Sequence, residues 1–155
     1  RGNGFLILNE IPNIDNIWML ATGTAIGPYL SILNTKDSWN KFKKVILVHA
    51  VRYEKELTYQ KNISFLKEKY GDRFIYISYV SREDSKYSLK GRIPQHIANG
   101  LLENKANIKM SPDNTHVMIC GNPEMVKDTT TELKKIGLKK HRRSSPGHIT
   151  TENYW

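Results

Sequence analysis

The sequence carries, near its beginning, the stretch Ala21-Thr22-Gly23-Thr24-Ala25-Ile26-Gly27-Pro28. It follows an apolar run over residues 17–21 that is typical of a buried strand, and it opens a segment with helical character. A junction of this kind points backbone N–H groups and the positive end of a helix beyond the carboxyl end of the strand. The stretch therefore predicts a site for a phosphate or another anion.

A second junction of the same kind follows an apolar run later in the chain, at Cys120-Gly121-Asn122-Pro123-Glu124-Met125. Two such junctions on one small sheet suggest a dinucleotide that bridges neighbouring strands. The three-glycine fingerprint of the common dinucleotide fold is absent, because only Gly23 and Gly27 stand in the first stretch. A Gly-Thr turn alone is more often a structural feature of α/β domains than a binding site.

Apolar runs and chain breakers predict an alternation of strands and helices. The predicted strands cover residues 17–21, 45–50, 74–80, 117–120 and 149–154. The predicted helices cover residues 26–33, a segment ending near Tyr70, residues 93–99 and residues 123–136, whereas residues 106–114 look like loop. Such alternation is typical of an α/β fold with a parallel sheet of about five strands and helices on both faces.

Length and composition narrow the class of protein further. The 155 residues, 39% of them hydrophobic, suit one globular domain with a core. The lone Cys120 cannot form an internal disulfide, which favours a reducing compartment such as the cytoplasm. The uncharged residues 17–33 are interrupted by glycine and proline and fall short of the ~20 residues of a membrane span. His141 and His148 have no nearby carboxylate or cysteine, which argues against a metal site.

Arginines follow the second and third predicted strands. Arg52 comes after the second strand, Ser81 and Arg82 come after the third, and Arg92 follows in the same loop. Ligands of open α/β sheets bind at this carboxyl edge, where a hydroxyl and a guanidinium together can hold a phosphate monoester. An NAD site would place an acidic residue after the second strand, so arginine there favours NADP. Solvated surface arginines are the competing interpretation.

The formal net charge of +9 raises the question of an acidic or polyanionic partner. Residues 127–143 contain seven Lys or Arg against Asp128 and Glu132. A solvated helix face is the more common meaning of such a run, and a surface that steers an acidic protein is the alternative. A nucleic-acid-binding module is a third hypothesis, but the sequence lacks the aromatic-rich basic strand that would favour it.

Several motifs, taken in order, closely resemble the bacterial-type ferredoxin/flavodoxin–NADP+ reductases. They are residues 18–29, His49-Ala50-Val51-Arg52-Tyr53, Val80-Ser81-Arg82-Glu83, Gly91-Arg92-Ile93-Pro94, Cys120-Gly121-Asn122-Pro123 and the ending from Pro146 to Trp155. Members of that family carry an N-terminal flavin-binding β-barrel. The resemblance implies that residues 17–155 form the NADP(H)-binding domain, and that residues 1–16 are the end of the barrel or the junction to it.

The resemblance also implies roles for individual residues. The expected contacts with NADP(H) are Arg52, Ser81, Arg82 and Arg92 at the phosphates of the adenosine, with Val51 beside them, Thr22, Gly23, Thr24 and Ala25 along the diphosphate, and Asn122, Pro123, Glu124 and Asp128 at its border. Cys120 is expected to face the nicotinamide. The expected contacts with FAD are Thr24, Tyr154 and Trp155.

The function implied by the resemblance is hydride transfer between NADP(H) and FAD, with electrons passed to or from ferredoxin or flavodoxin. The enzyme would be a cytoplasmic monomer, and this chain alone would bind nucleotide without turnover. A reductase of free flavin or another small acceptor, built on the same two-domain plan, is the alternative.

Overall fold

The computed structural model describes residues 8–153, which form one sheet of five parallel strands with helices on both faces. The strands are β1 (Asn16–Thr22), β2 (Lys44–Val51), β3 (Phe74–Val80), β4 (Thr115–Gly121) and β5 (Ile149–Asn153). Their order across the sheet is β3-β2-β1-β4-β5. The predicted fold class and all five predicted strands are confirmed. Of the last predicted strand, Tyr154 lies outside the described residues.

In the described part of the chain, six α-helices connect or flank the strands. They are α1 (Ile26–Leu33), α2 (Asp37–Lys41), α3 (Gln60–Tyr70), α4 (Ile93–Ala98), α5 (Leu101–Ala106) and α6 (Pro123–Lys135). The four predicted helices correspond to α1, α3, α4 and α6, with ends that agree within one residue where they were specified. The short helices α2 and α5 were not predicted, because helices of this length depend on tertiary packing rather than on a local pattern.

Packing explains the position of α2 in particular. The Trp39 Nε1–H donates a hydrogen bond to the Leu33 carbonyl at the end of α1, 2.8 Å away. The indole also stacks on Tyr70 at the end of α3, with ring centroids 3.6 Å apart. The side chain therefore ties α2 to two neighbouring helices, which a pattern confined to residues 37–41 cannot reveal.

Both faces of the sheet are buried, as the uninterrupted apolar character of the strands predicts. Successive side chains of β1 alternate between the two faces. Met19 packs in the cluster that includes α1, α2 and α3, whereas Trp18 and Leu20 pack in the cluster that includes α4, α5 and α6. The uncharged residues 17–33 are thus accounted for by β1, a turn and α1. No helix within residues 8–153 is long and apolar enough to cross a membrane.

The strand order creates a switch point between β1 and β4. From β1 the chain moves to β2 and β3 on one side, and it then returns to form β4 and β5 on the other side. The connections that follow β1 and β4 therefore leave the carboxyl edge in opposite directions, which opens a crevice between them. The predicted domain start at residue 17 falls one residue inside β1, and the boundary itself stays a prediction. Ile11, before it, is already buried in the core.

A buried histidine at the opposite edge provides a test of the fold. His116 lies near the start of β4 with 1% of its surface exposed, and its Nε2 is 2.7 Å from the Thr150 hydroxyl on β5. Burial, followed by the neighbouring His141 and His148, lowers the pKa of His116 to about 3. In the unfolded chain the His116 ring binds a proton near pH 6.5, whereas in the folded chain it stays unprotonated at that pH. The contribution of His116 to the free energy of unfolding is therefore complete above pH 6.5 and falls progressively towards pH 3.

We predict that His116→Leu reduces this pH dependence. Between pH 6 and pH 4, the free energy of unfolding should lose up to about 1.4 kcal/mol less per pH unit in the variant than in the wild type, because one linked proton is removed. Urea unfolding at several pH values measures both slopes. Identical slopes in the two proteins would mean that His116 does not resist protonation in the fold.

Candidate functional site

The loops that follow β2 and β3 run side by side beyond the carboxyl edge of the sheet. The Ser81 N–H donates to the Val51 carbonyl over 3.1 Å, and the Arg82 N–H donates to the Arg52 carbonyl over 2.9 Å. The pairing of the two strands thus continues for two residues into the loops. It brings together the predicted phosphate ligands Arg52, Ser81 and Arg82, all of them exposed.

Arg92 reaches the same edge by a different route. The loop after β3 turns back on its own strand, where the Leu89 N–H donates to the Ser78 carbonyl and the Val80 N–H donates to the Leu89 carbonyl, both over 2.9 Å. Arg92 then precedes the first residue of α4, in extended backbone. Its exposed side chain lies at the N-terminus of that helix, at the end of the loop that Ser81 begins.

Carboxylates next to these arginines bind the loop backbone instead of the guanidinium groups. Glu56 Oε1 accepts hydrogen bonds from the N–H groups of Arg52 and Tyr53, over 3.1 and 2.9 Å. Glu83 Oε2 accepts from the Glu54 N–H over 2.7 Å, which joins the two loops. Within residues 8–153, the guanidinium groups of Arg52, Arg82 and Arg92 form no ion pair. Three cations therefore remain available to an external anion.

The first loop is a single turn of 3-10 helix, Gly23–Ala25, placed between β1 and α1. Gly23 has a φ of +54°, a left-handed conformation that glycine adopts without strain. Its carbonyl accepts a hydrogen bond from the Nε2 of His49 on β2, 2.8 Å away. Thr24 is exposed, whereas Ala25 is completely buried, so the predicted contact of Ala25 with a nucleotide stays a prediction.

The loop after β4 is bonded directly to the first loop. The Asn122 N–H donates to the Thr22 Oγ1 over 2.9 Å. The Asn122 Oδ1 in turn accepts from the N–H groups of Glu124 and Met125, over 2.9 and 3.2 Å, and thereby caps α6. Pro123 occupies the first turn of that helix, where its missing N–H costs nothing. The two predicted anion sites thus meet at the switch point.

The other predicted contacts have different environments. Pro123, Glu124 and Asp128 are exposed on the first turns of α6. Cys120 is fully buried, and burial together with Glu152 raises the pKa of its thiol to about 11, so that it is a neutral thiol at pH 7. Its contact with a nicotinamide stays a prediction. Tyr154 and Trp155 lie outside the described residues. In the part of the chain that is described, no three potential metal ligands form a cluster.

Two contributors to this site were missed by sequence reasoning. His49 forms a hydrogen bond to a backbone carbonyl of another segment, whereas Glu56 accepts hydrogen bonds from backbone N–H groups three and four residues before it in its own loop. His49 stands within a strand whose apolar run indicates only burial, and Glu56 stands in a charged stretch typical of a solvated loop. The available signals were the place of His49 near the end of β2 and the three-residue spacing between Tyr53 and Glu56, at which a glutamate can cap a helical turn.

Comparison with known proteins agrees with this geometry. The family model described as the oxidoreductase NAD-binding domain matches residues 19–131. The chain belongs to this family. Among curated relatives, the flavodoxin/ferredoxin–NADP reductase of Buchnera aphidicola subsp. Schizaphis graminum is 49% identical over 153 residues, which are 98% of this chain and 60% of the relative. The Escherichia coli protein of the same name is 46% identical and is covered to 62% of its length.

A solved structure gives the same result for the fold. The ferredoxin NADP+ reductase from Neisseria gonorrhoeae, whose structure contains FAD and NADP, superposes with a TM-score of 0.91 at 36% identity. The match covers 99% of this chain and 61% of that protein. The predicted resemblance is therefore confirmed. The chain spans about three fifths of the length of these relatives.

Gly121 leaves the space that the contact between the two loops requires. It has a φ of +143°, and a methyl group there would overlap the Thr22 Oγ1. Gly100 provides a matched control, because it has a φ of +82° but no atom within 4 Å of an added methyl group. We predict that Gly121→Ala lowers the free energy of unfolding by about 1–3 kcal/mol more than Gly100→Ala, because only the first adds overlap to backbone strain. Urea unfolding measures both, and equal losses would contradict the role of the contact.

Proposed function

We propose that this chain is the NADP(H)-binding domain of a flavoenzyme that passes hydride between NADP(H) and FAD and electrons between FAD and ferredoxin or flavodoxin. The observation that carries the proposal is the group of three exposed guanidinium groups, without carboxylate partners in the described chain, at the carboxyl edge of a parallel sheet. The names of the relatives and the FAD and NADP of the gonococcal structure support the same activity.

The arginine loops would hold the part of NADP(H) that NAD(H) lacks. Arg52 and Arg82 can each form a bidentate, charge-assisted pair with the 2′-phosphate of the adenosine, and Ser81 can add a hydroxyl bond. Arg92 would neutralise the adjacent phosphate, and the Val51 carbonyl, bonded to Ser81, would fix the spacing of the two loops. Among residues 8–153, no carboxylate has to be displaced from these guanidinium groups when the phosphate arrives.

The first and fourth loops would hold the rest of the dinucleotide. Thr22, Gly23, Thr24 and Ala25 would lie along the diphosphate at the start of α1, where the helix dipole favours negative charge. Asn122, Pro123, Glu124 and Asp128 would line the border of the crevice, with Cys120 beneath the nicotinamide. When bound, NADP(H) supplies the hydride chemistry, and the protein supplies its binding and orientation.

The flavin would be held mainly by a further domain, in line with the additional length of the relatives. On this plan residues 1–16 are the end of that domain or the junction to it, and residues 17–155 are the nucleotide domain. Thr24, Tyr154 and Trp155 would contact the FAD. This chain alone would then bind NADP(H) and catalyse no turnover.

The nucleotide preference tests the proposal. We predict that Arg82→Ala, made in the protein that contains this chain, weakens the binding of NADPH by on the order of tenfold to a hundredfold. This is the effect of losing one hydrogen bond to a charged group, ~1.5–3 kcal/mol. NADH should be affected far less, because it lacks the 2′-phosphate. Arg142→Ala, at an exposed arginine in the loop before β5, is the control and should leave both affinities unchanged. Equal weakening of NADPH and NADH by Arg82→Ala would disprove the assignment.

The response to salt tests the proposed carrier. The net charge of +9 should speed the encounter with an acidic ferredoxin or flavodoxin, and salt screens such an attraction. We predict that turnover with the carrier falls as ionic strength rises, while turnover with a small uncharged acceptor changes much less. An equal dependence on salt with both acceptors would show that the basic surface is a solvated surface that does not steer the carrier.

A further inference from the structure

His49 holds the first loop from inside the sheet. It lies on β2 with none of its surface exposed, and β2 pairs with β1 so that His49 is in register with Ala21. Its Nε2 reaches past the end of β1 to the carbonyl of Gly23, 2.8 Å away. This is a contact between a core side chain and the loop at which the two anion-binding elements meet.

The direction of this hydrogen bond determines which nitrogen of the His49 ring carries the hydrogen. A carbonyl oxygen only accepts, so the Nε2 of His49 must carry the hydrogen. The Nδ1 is buried and has no partner among the residues that the structure describes. Burial lowers the pKa of His49, so the ring is neutral at pH 7 in the Nε2–H form. The donor is therefore present at neutral pH without a buried positive charge.

The peptide bond between Gly23 and Thr24 links the direction of the Gly23 carbonyl to the direction of the Thr24 N–H. No peptide bond in the described chain is cis. In a planar trans peptide the C=O of one residue and the N–H of the next point in opposite directions. Because the Gly23 C=O is directed at the buried ring, the N–H of Thr24 is directed away from it, on the side where Thr24 is exposed. The positive φ of Gly23 is the conformation in which this orientation is reached.

We propose that His49 is a positioning residue for the dinucleotide: by holding the Gly23 carbonyl inward, it aims the Thr24 N–H outward at a diphosphate oxygen. The inference rests on the proposed function, because it needs a diphosphate at this loop. A donor fixed before the ligand arrives costs no ordering on binding, which is the source of its contribution to affinity. The competing explanation is an ordinary core histidine that affects folding alone.

The chain offers a matched control for that explanation. His116 is equally buried in a neighbouring part of the sheet, on β4, and its Nε2 also lies within hydrogen-bond distance of one partner, the hydroxyl of Thr150. It lies at the start of its strand, whereas His49 lies near the end of its own. Replacement of either ring disturbs the core, but only replacement of His49 releases the first loop.

The experiment is made in the protein that contains this chain and uses two ligands that occupy different parts of the proposed site. Adenosine 2′-monophosphate offers the 2′-phosphate without the diphosphate, and NADP+ offers both. His49→Leu should weaken the binding of NADP+ by on the order of tenfold, the effect of losing one well-placed hydrogen bond. The binding of adenosine 2′-monophosphate should stay unchanged. His49→Gln should restore most of the NADP+ affinity, because its amide nitrogen can donate to the Gly23 carbonyl. His116→Leu should leave both dissociation constants unchanged.

The outcomes separate the two proposals. Weakening of both ligands by His49→Leu, or weakening of NADP+ by His116→Leu, would show general damage and overturn the positioning role. Unchanged NADP+ affinity in His49→Leu would overturn it as well. If that variant does not fold, His49→Asn replaces it, since its shorter amide cannot reach the carbonyl, and equal NADP+ affinity in the Asn and Gln variants overturns the role. Failure of the wild-type protein to bind adenosine 2′-monophosphate would instead refute the proposed function.

Discussion

The hydrogen bond from the Asn122 N–H to the Thr22 Oγ1 determines the arrangement of the candidate site. β1 and β4 pair as far as Ala21 and Cys120, so beyond those residues the sheet no longer sets the distance between the two loops. The 2.9 Å contact takes over that function one residue further on, and it needs the space left by Gly121. α6 begins directly after this contact and α1 begins after the Gly23–Ala25 turn, so the two loops that lead into these helices are held together at the switch point of the sheet.

The loops after β2 and β3 follow a different principle. Their shape is set by carboxylates, Glu56 and Glu83, which accept hydrogen bonds from backbone N–H groups. Since those carboxylates are occupied by the backbone, the neighbouring arginines remain solvated. An exposed guanidinium costs little in the absence of a ligand, whereas an ion pair would have to be broken before a phosphate could bind. The acidic residues thus shape a basic site without neutralising it.

Most of the fold was predictable, because parallel strands buried on both faces produce long apolar runs and glycine or proline marks the ends of helices. The two short helices were not, since α2 depends on the contact of Trp39 with a distant Tyr70. In the site, the arginines were predictable from their place after strands. His49 was not, because it recognises a backbone carbonyl of another segment, and a sequence pattern encodes side chains rather than backbone partners. The register of the sheet brings its ring to that carbonyl. Glu56 forms only local bonds, but its charged surroundings are equally typical of a solvated loop.

The two halves of the site therefore differ in stiffness, and this difference suits the two tasks of the proposed function. The diphosphate, common to NAD and NADP, would meet backbone N–H groups that buried contacts hold in place. Because these groups are ordered before the ligand binds, binding costs less conformational entropy. The 2′-phosphate, specific to NADP, would meet long exposed side chains that adjust to it. Loss of an arginine leaves the buried contacts of the first loop in place, so preference can change without loss of the fold. Loss of a buried contact affects both nucleotides alike, because it acts on the group that they share.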